Sequence, residues 1–270
     1  MTNPKTDETG SRTTSPAARD ASDMVSKALR LLSLLGDRPG GIALSELSRV
    51  AGYPTSTTYR LLGTLVREGF ARFDDASKRY TLGLKVFELG QRVSHAFGFT
   101  GIALPVMQRV SAHTREATLM SVRDDDKQLY VHYVEGPRQV SVIGEPGKHG
   151  PLHCTAMGKV LVAYAPAPAR EELVATLPLE PLGPNTITDR DAFRAEIDTV
   201  RSRGYATADE EHEAGIRAVG VPILDPTGTA IAALSVAAPA FRTPIEDLVG
   251  QVPILTEAAR ELALLLPPRR

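Results

Sequence analysis

From Asp23 onward the apolar positions Met24, Ala28, Leu31, Leu32 and Leu35 recur at steps of three and four. That spacing predicts an amphipathic helix stopped by Gly36 and Asp37. Leu44, Leu47 and Val50 repeat the pattern over a shorter helix, Ser45 to Val50, with Ser45 as its N-cap, running into Ala51-Gly52-Tyr53-Pro54. A third helix is predicted from Thr55 to Glu68, with Thr58, Leu61, Leu62, Leu65 and Val66 inward and Gly69 as its stop. Two helices joined by a short Gly-containing turn give a helix-turn-helix. Phe70, Arg72, Arg79 and Tyr80 then flank Asp74-Asp75-Ala76-Ser77, the pattern of a hairpin that would form a wing. Leu84, Phe87, Glu88, Gln91, Val93, Ala96 and Phe97 continue as a connecting helix, whose Leu84, Val86, Phe87 and Leu89 call for an apolar partner.

The second half alternates between the two periods. Helices are predicted over Ile102–Thr114, Thr155–Tyr164, Arg190–Arg203 and Ile245–Leu266. Strands are predicted over Ala117–Val122, Gln128–Glu135, Ile216–Leu224 and Thr229–Ala237, the last pair forming a hairpin around Asp225-Pro226-Thr227-Gly228. The fold class is therefore α+β. Residues 1–22, MTNPKTDETGSRTTSPAARDAS, are too polar to offset their ordering entropy and read as a disordered tail. The expected order is tail 1–22, winged helix-turn-helix 23–82, linker and dimerisation helix 83–100, and α+β domain 101–270.

Composition narrows the function. With 270 residues, 42% of them hydrophobic, the chain has enough apolar surface for substantial cores, which excludes a disordered or fibrous protein. Thirty-one Lys and Arg against 32 Asp and Glu give a net charge of -1, so nothing global attracts a polyanion. The charge is unevenly placed: residues 23–80 hold nine basic against six acidic side chains, whereas residues 101–270 hold 17 against 22. The small domain is the basic one, as for a DNA-binding module tied to a domain with another task. Cys154 is the single cysteine, which allows no internal disulfide and fits a reducing cytoplasm. The first twenty residues contain no apolar segment, and the best apolar run, Ile231 to Ala240, contains Ser235 and Pro239, so neither a signal peptide nor a membrane span is expected. The absence of Trp and an aromatic content of 5% argue against stacking platforms for single strands.

At 100° per residue the third helix turns Ser56, Thr57, Tyr59, Arg60, Gly63, Thr64 and Arg67 away from its core face. Thr55, Ser56, Thr57 and Tyr59 would bond phosphates and base edges of double-stranded DNA, Arg60 would fork onto guanine, and Gly63 would allow close approach. Arg72, Lys78 and Arg79 of the wing would grip the flanking backbone. The competing reading is a winged-helix adaptor for a protein partner with a ligand- or metal-sensing domain, whose affinity for DNA would be weak and insensitive to sequence.

Candidate reaction chemistry is sparse. His153 and Cys154 are adjacent, an arrangement that points consecutive side chains apart and leaves the thiol without its base. His149, His153 and Cys154, or the cluster Asp209, Glu210, Glu211, His212 and Glu213, follow no recognised metal-ligand spacing. Phosphate loops, dinucleotide fingerprints and nucleophile elbows are missing from the sequence. No enzyme activity, metal or cofactor is expected.

The run LSELSRVAGYPTSTTYRLLGTLVREGFARFDDASKRYTLGLKVFELG resembles the N-terminal domain of the IclR family of bacterial transcriptional regulators. PLHCTAMGKVLVAY and GYATADEEHEAGIRAVGVPILDPTGTAIAALSVAAPAFR resemble the family's C-terminal blocks, in the right order. The resemblance implies a GAF-like effector-binding domain, a small organic-acid effector, a repressor acting on a pseudo-palindromic operator, and a dimer that pairs into a tetramer. It places effector contacts on Ala156, Met157, Asp209, Ile216, Ala218, Ser235 and Ala237. A carboxylate could sit on the N–H groups at the start of the Thr155 helix, through Gly158, with the Ser235 hydroxyl as a further donor. Many relatives have Cys and a small polar residue where this chain has Ala218 and Ala237, which favours a roomier, more apolar pocket for an aromatic or longer-chain acid.

Overall fold

In the computed structural model, which describes residues 16–96 and 99–266, the chain divides after Val93 into two compact units. The first opens with helix α1 (Pro16–Gly36), whose Leu31 and Leu35 are fully buried. The expected tail therefore needs correction: residues 1–15 lie outside the described residues, but 16–22 are helical. Proline is preorganised for a first helical position, Ala17 and Ala18 are strong helix formers, and extending a nucleated helix costs little. Strand β1 (Ile42–Ala43) leads directly into α2 (Leu44–Ala51). Because Ala43 arrives extended and occupies the cap position, Ser45 is not the N-cap and no side chain caps this helix. Gly52, at φ +73°, closes α2 in the left-handed conformation that glycine adopts without strain.

Helix α3 (Thr55–Arg67) buries Thr58, Leu61, Leu62 and Leu65 against Leu31, Leu35, Ile42, Leu47 and Tyr80. Strands β2 (Ala71–Asp74) and β3 (Arg79–Leu82) form the wing, and β1 adds to β3 with Ile42 opposite Tyr80. The Asp74 carboxylate accepts the Ala76 and Ser77 N–H groups at 2.8 and 3.2 Å, which shapes the tip and holds its pKa below the usual carboxylate value. Helix α4 (Leu84–Ala96) follows Gly83, where a Cβ would lie 2.1 Å from the Gly69 carbonyl oxygen. Backbone meets backbone there, so only glycine fits. Phe97, predicted to end this helix, lies outside the described residues.

The second unit begins with a π-helical turn, Phe99–Ala103, and α5 (Leu104–Thr114). Strands β4 (Ala117–Asp124), β5 (Lys127–Val134) and β6 (His149–Pro151) precede helices α6 (Ala156–Ala163), α7 (Ala167–Thr176) and α8 (Arg190–Arg203). Strands β7 (Ala206–Asp209), β8 (Ile216–Leu224) and β9 (Ala230–Pro239) complete an antiparallel sheet in the order β6-β5-β4-β9-β8-β7. The predicted closing helix is two, α9 (Ile245–Val249) and α10 (Val252–Leu265), because Gly250 interrupts it and Pro253 suits only a first turn.

Alternation sorts each strand between two layers. Met120, Val122, Val219, Val221, Leu234 and Val236 face α5 and α10, while Leu119, Ala233 and Ala237 face α6 and α8. One irregularity matters for the site: Met120 pairs with His132 but Ser121 with Tyr130, leaving Val131 as an extra residue. This bulge turns both Tyr130 and Tyr133 to the α6 layer.

Candidate functional site

Two surfaces carry chemistry, one in each unit. On α3, burial of Thr58, Leu61, Leu62 and Leu65 leaves Thr55, Ser56, Tyr59, Arg60, Gly63, Thr64 and Arg67 exposed, with Thr57 half-buried. Pro54 precedes the helix and no side chain caps it, so the first-turn N–H groups remain available to an external acceptor. Arg60 reaches only the Met24 sulfur, at 3.9 Å, and its guanidinium is otherwise in solvent. Arg72 projects from β2 into solvent. Lys78 sits at the wing tip at φ +55°, 3.3 Å from Asp75, while Arg79 donates to the Gly41 carbonyl at 2.8 Å and ties the wing to the β1 turn. This face offers hydroxyls, helix N–H groups and cations to a polyanion.

The second surface is a cavity of about 290 Å³, partly open to solvent, between the sheet, the start of α6, the β5–β6 connection and the β7–β8 loop. Leu119, Met157, Ala218 and Ala237 form apolar walls, and Lys148, His149, His212 and Glu213 contribute to its lining. Gly220 on β8 brings α6 close: a Cβ there would lie 3.1 to 3.2 Å from backbone atoms of Ala156 and Met157. Thr155 caps the helix, its Oγ1 accepting the Gly158 N–H at 2.9 Å. The Ala156 and Met157 N–H groups, in the first turn, have no intrahelical acceptor. Ser235 is 2% exposed, and its hydroxyl has no partner among the described residues.

Of the expected effector contacts, Ala156, Met157, Ile216, Ala218, Ser235 and Ala237 line the cavity. Gly158 and Asp209 do not, and both expectations are corrected. The Gly158 N–H is taken by the Thr155 cap, and its Cα packs so tightly that a Cβ would meet the Leu152 carbonyl oxygen at 2.4 Å. Asp209 lies opposite Arg217 across β7 and β8, and its carboxylate accepts the Arg217 Nε–H at 2.5 Å.

Several participants escaped sequence reasoning. Tyr130 and the connection residues Val142, Ile143, Gly144 and Glu145 line the cavity. Behind it, Lys159 is 1% exposed and its ammonium donates to Glu211 at 2.7 and 3.0 Å and to Glu196 at 3.1 Å. Burial nevertheless raises the Glu211 pKa. The pair anchors the loop bearing His212 and Glu213, and partial enclosure holds the His212 imidazole below its usual pKa. A lysine inside the otherwise apolar run AMGKVLVA was the available signal, since a buried cation demands an acceptor.

The remaining candidates go elsewhere. Cys154 is fully buried, and that burial pushes its thiol up to about 12. His153 Nε2 is 2.9 Å from the Glu180 carbonyl oxygen, and His149 Nε2 is 2.7 Å from Asp124. Among the described residues no group of three His, Cys, Asp or Glu is placed to hold a metal ion, and no helix is long and apolar enough to cross a membrane.

Residues 91–264 match the family model for the bacterial transcriptional regulator IclR C-terminal domain, and residues 24–75 that for the IclR helix-turn-helix domain. The regulator KdgR of Escherichia coli strain K12 is 32% identical over 244 residues, covering 90% of this chain and 92% of KdgR. KipR of Bacillus subtilis strain 168 is 32% identical over 240 residues, 89% of this chain and 94% of that one. The crystal structure of the Thermotoga maritima IclR is similar with a TM-score of 0.75 at 30% identity, covering 90% of this chain and 98% of that one. An IclR homologue from Microbacterium hydrocarbonoxydans, crystallised with 4-hydroxybenzoate, gives 0.79 at 30% identity, covering 89% and 98%.

Proposed function

The chain belongs to the IclR family of transcriptional regulators, with a DNA-binding helix-turn-helix and an effector-binding domain, and from that premise we propose that it is a repressor released by a small organic acid. The observation that carries the reading is the pairing, in one chain, of an exposed hydroxyl-rich helix with a cavity lined by first-turn N–H groups and the Ser235 hydroxyl. Thr55, Ser56, Thr57, Tyr59 and Arg60 enter the major groove, and Arg72, Lys78 and Arg79 hold phosphates and fix the register. The acid's carboxylate sits on the Ala156 and Met157 N–H groups and the Ser235 hydroxyl. The homologue crystallised with 4-hydroxybenzoate supports an organic acid as the ligand.

Leu84 and Phe87 of α4, three positions apart on one face, are 85% and 65% exposed, an apolar patch that supports pairing of two copies through this helix. A dimer reads a pseudo-palindrome, and two dimers form the tetramer. An acid that favours one arrangement of the copies shifts the population and moves the recognition helices out of register with their half-sites. The protein acts in the cytoplasm, where its DNA is.

The test is fluorescence anisotropy of the full chain with duplex DNA from upstream of its own gene, against a scrambled duplex, at three salt concentrations. Preference for the native duplex by about tenfold or more, weakening as salt rises, is the expected result. Weak, equal affinity for both duplexes overturns it. Addition of an acid that fills the cavity should release the native duplex.

A further inference from the structure

Gln128, on β5, is fully buried, and its Oε1 accepts the Ser121 hydroxyl proton at 2.8 Å. Its Nε2 faces Thr155 Oγ1 at 2.7 Å, the Pro151 carbonyl oxygen at 3.1 Å and Tyr130 Oη at 3.3 Å. A carbonyl oxygen only accepts, so this amide turns its nitrogen, not its oxygen, to the three oxygens, which share its two hydrogens. Thr155 Oγ1 in turn donates to the Pro151 carbonyl at 3.2 Å and accepts the Gly158 N–H. One buried amide thus fixes both the cap of α6 and the phenol of Tyr130. Gly150 leaves the room this requires, since a Cβ there would lie 2.9 Å from Tyr130 Oη and Cε2.

The Tyr130 oxygen accepts from Gln128 and keeps its own proton, for which no acceptor exists among the described residues, and the side chain lines the cavity. Burial pushes the phenol up to about 12, so it stays protonated at neutral pH. The Ser235 hydroxyl and the Ala156 and Met157 N–H groups are further donors at the cavity, all neutral. Of the basic side chains in the lining, Lys148 pairs with Glu145 at 2.8 Å, His149 Nε2 lies 2.7 Å from Asp124, and burial holds the His212 imidazole below its usual pKa.

Resting on the reading that the cavity holds an acid effector, we propose that the Tyr130 hydroxyl, positioned by Gln128, donates to the effector's carboxylate and selects a monocarboxylate with an apolar body. Neutral dipoles suffice for a single buried negative charge, whereas a phosphate dianion without a cation loses far more hydration than they return. Leu119, Met157, Ala218 and Ala237 suit an aryl or alkyl body rather than a polyol.

Isothermal titration of the full chain with benzoate, octanoate and phenyl phosphate tests this, on the wild type and on Tyr130→Phe. The expected result is binding of benzoate or octanoate, no competition by phenyl phosphate, and an affinity about tenfold lower in Tyr130→Phe, the loss of one neutral hydrogen bond. Thermal melting of the ligand-free variant checks that it is folded, since the Gln128 nitrogen keeps Thr155 and Pro151 as acceptors. Gln128→Met should weaken acid binding in the wild type and much less in Tyr130→Phe, a coupling that a merely structural role would not produce. If Gln128→Met fails to fold, the Tyr130→Phe comparison still decides. Equal acid affinity in Tyr130→Phe, phenyl phosphate binding as tightly as benzoate, or no acid binding by the wild type each overturns the proposal. Equal acid affinity in Tyr130→Phe and wild type sinks this inference alone, no acid binding by the wild type sinks the acid-effector reading with it, and loss of DNA preference sinks the DNA-binding reading instead.

Discussion

The exposed face of α3 and the cavity beside α6 use the same kinds of donor, hydroxyls and first-turn N–H groups, in opposite media. On α3 they stand in water, where each is already hydrated and contributes little to folding. Around the cavity Gln128, Thr155 and Lys159 are bonded to named partners, while Ser235 lines it without one among the described residues. Substitutions on α3 should therefore change recognition without stability, while those around the cavity should change stability, ligand response or both according to whether the lost group was bonded.

The largest effect sharpens that contrast. Lys159→Met strands the buried Glu211 without its ammonium, while Glu196 keeps Arg203 at 3.1 Å, and should lower stability by about 3 to 5 kcal/mol in urea unfolding. Burial already raises the Glu211 pKa, so the folded chain binds that proton more tightly than the unfolded one. Its contribution is fullest below the unfolded pKa and declines as pH rises through the folded value. Without Lys159 the decline should steepen, so the variant's deficit at neutral pH should shrink on acidification; a deficit independent of pH would remove Glu211 as the cause. Next, Arg60→Ala should weaken specific DNA binding by about 1 to 3 kcal/mol and relax the preference at one base pair. Its melting temperature should be unchanged, and a destabilised variant would break the comparison. Ser235→Ala should weaken acid binding by about 1 kcal/mol in calorimetry and leave ligand-free DNA binding intact. Smallest is a control on the far layer: Thr118 Oγ1 is buried without a partner, so Thr118→Val should stabilise the fold by up to about 1 kcal/mol and alter neither ligand nor DNA binding.

The difference in medium also explains what the sequence revealed. Helix α3 was legible because its apolar stripe and its terminal glycine are local, and the exposed face follows by subtraction. The cavity is assembled from β4, β5, α6, β8 and β9, so no local period marks it, and its lining was reached through motif likeness at Ala156, Met157, Ile216, Ala218, Ser235 and Ala237. Counting along a helix start could not show that Thr155 would occupy the Gly158 N–H, nor could a strand pattern show Asp209 opposite Arg217. The short strands β6 and β7 carry too few residues to register a period. Helix α7 buries only Leu173 and Val174, too narrow a stripe to stand out.

The extra residue at Val131 acts as a frameshift in the alternation of faces along β5. Before it, strict counting would send Tyr130 and His132 to one layer; after it, Tyr133 joins Tyr130 and its hydroxyl donates to the Val142 carbonyl at 3.0 Å, pinning the strap over the cavity. Were the same residues to pair in plain alternation, Tyr133, three positions after Tyr130, would turn to the opposite layer and unfasten the strap; deleting Val131 would remove the bulge and keep both tyrosines on the α6 layer. The cavity's roof is in that sense encoded by a count of residues as well as by their chemistry.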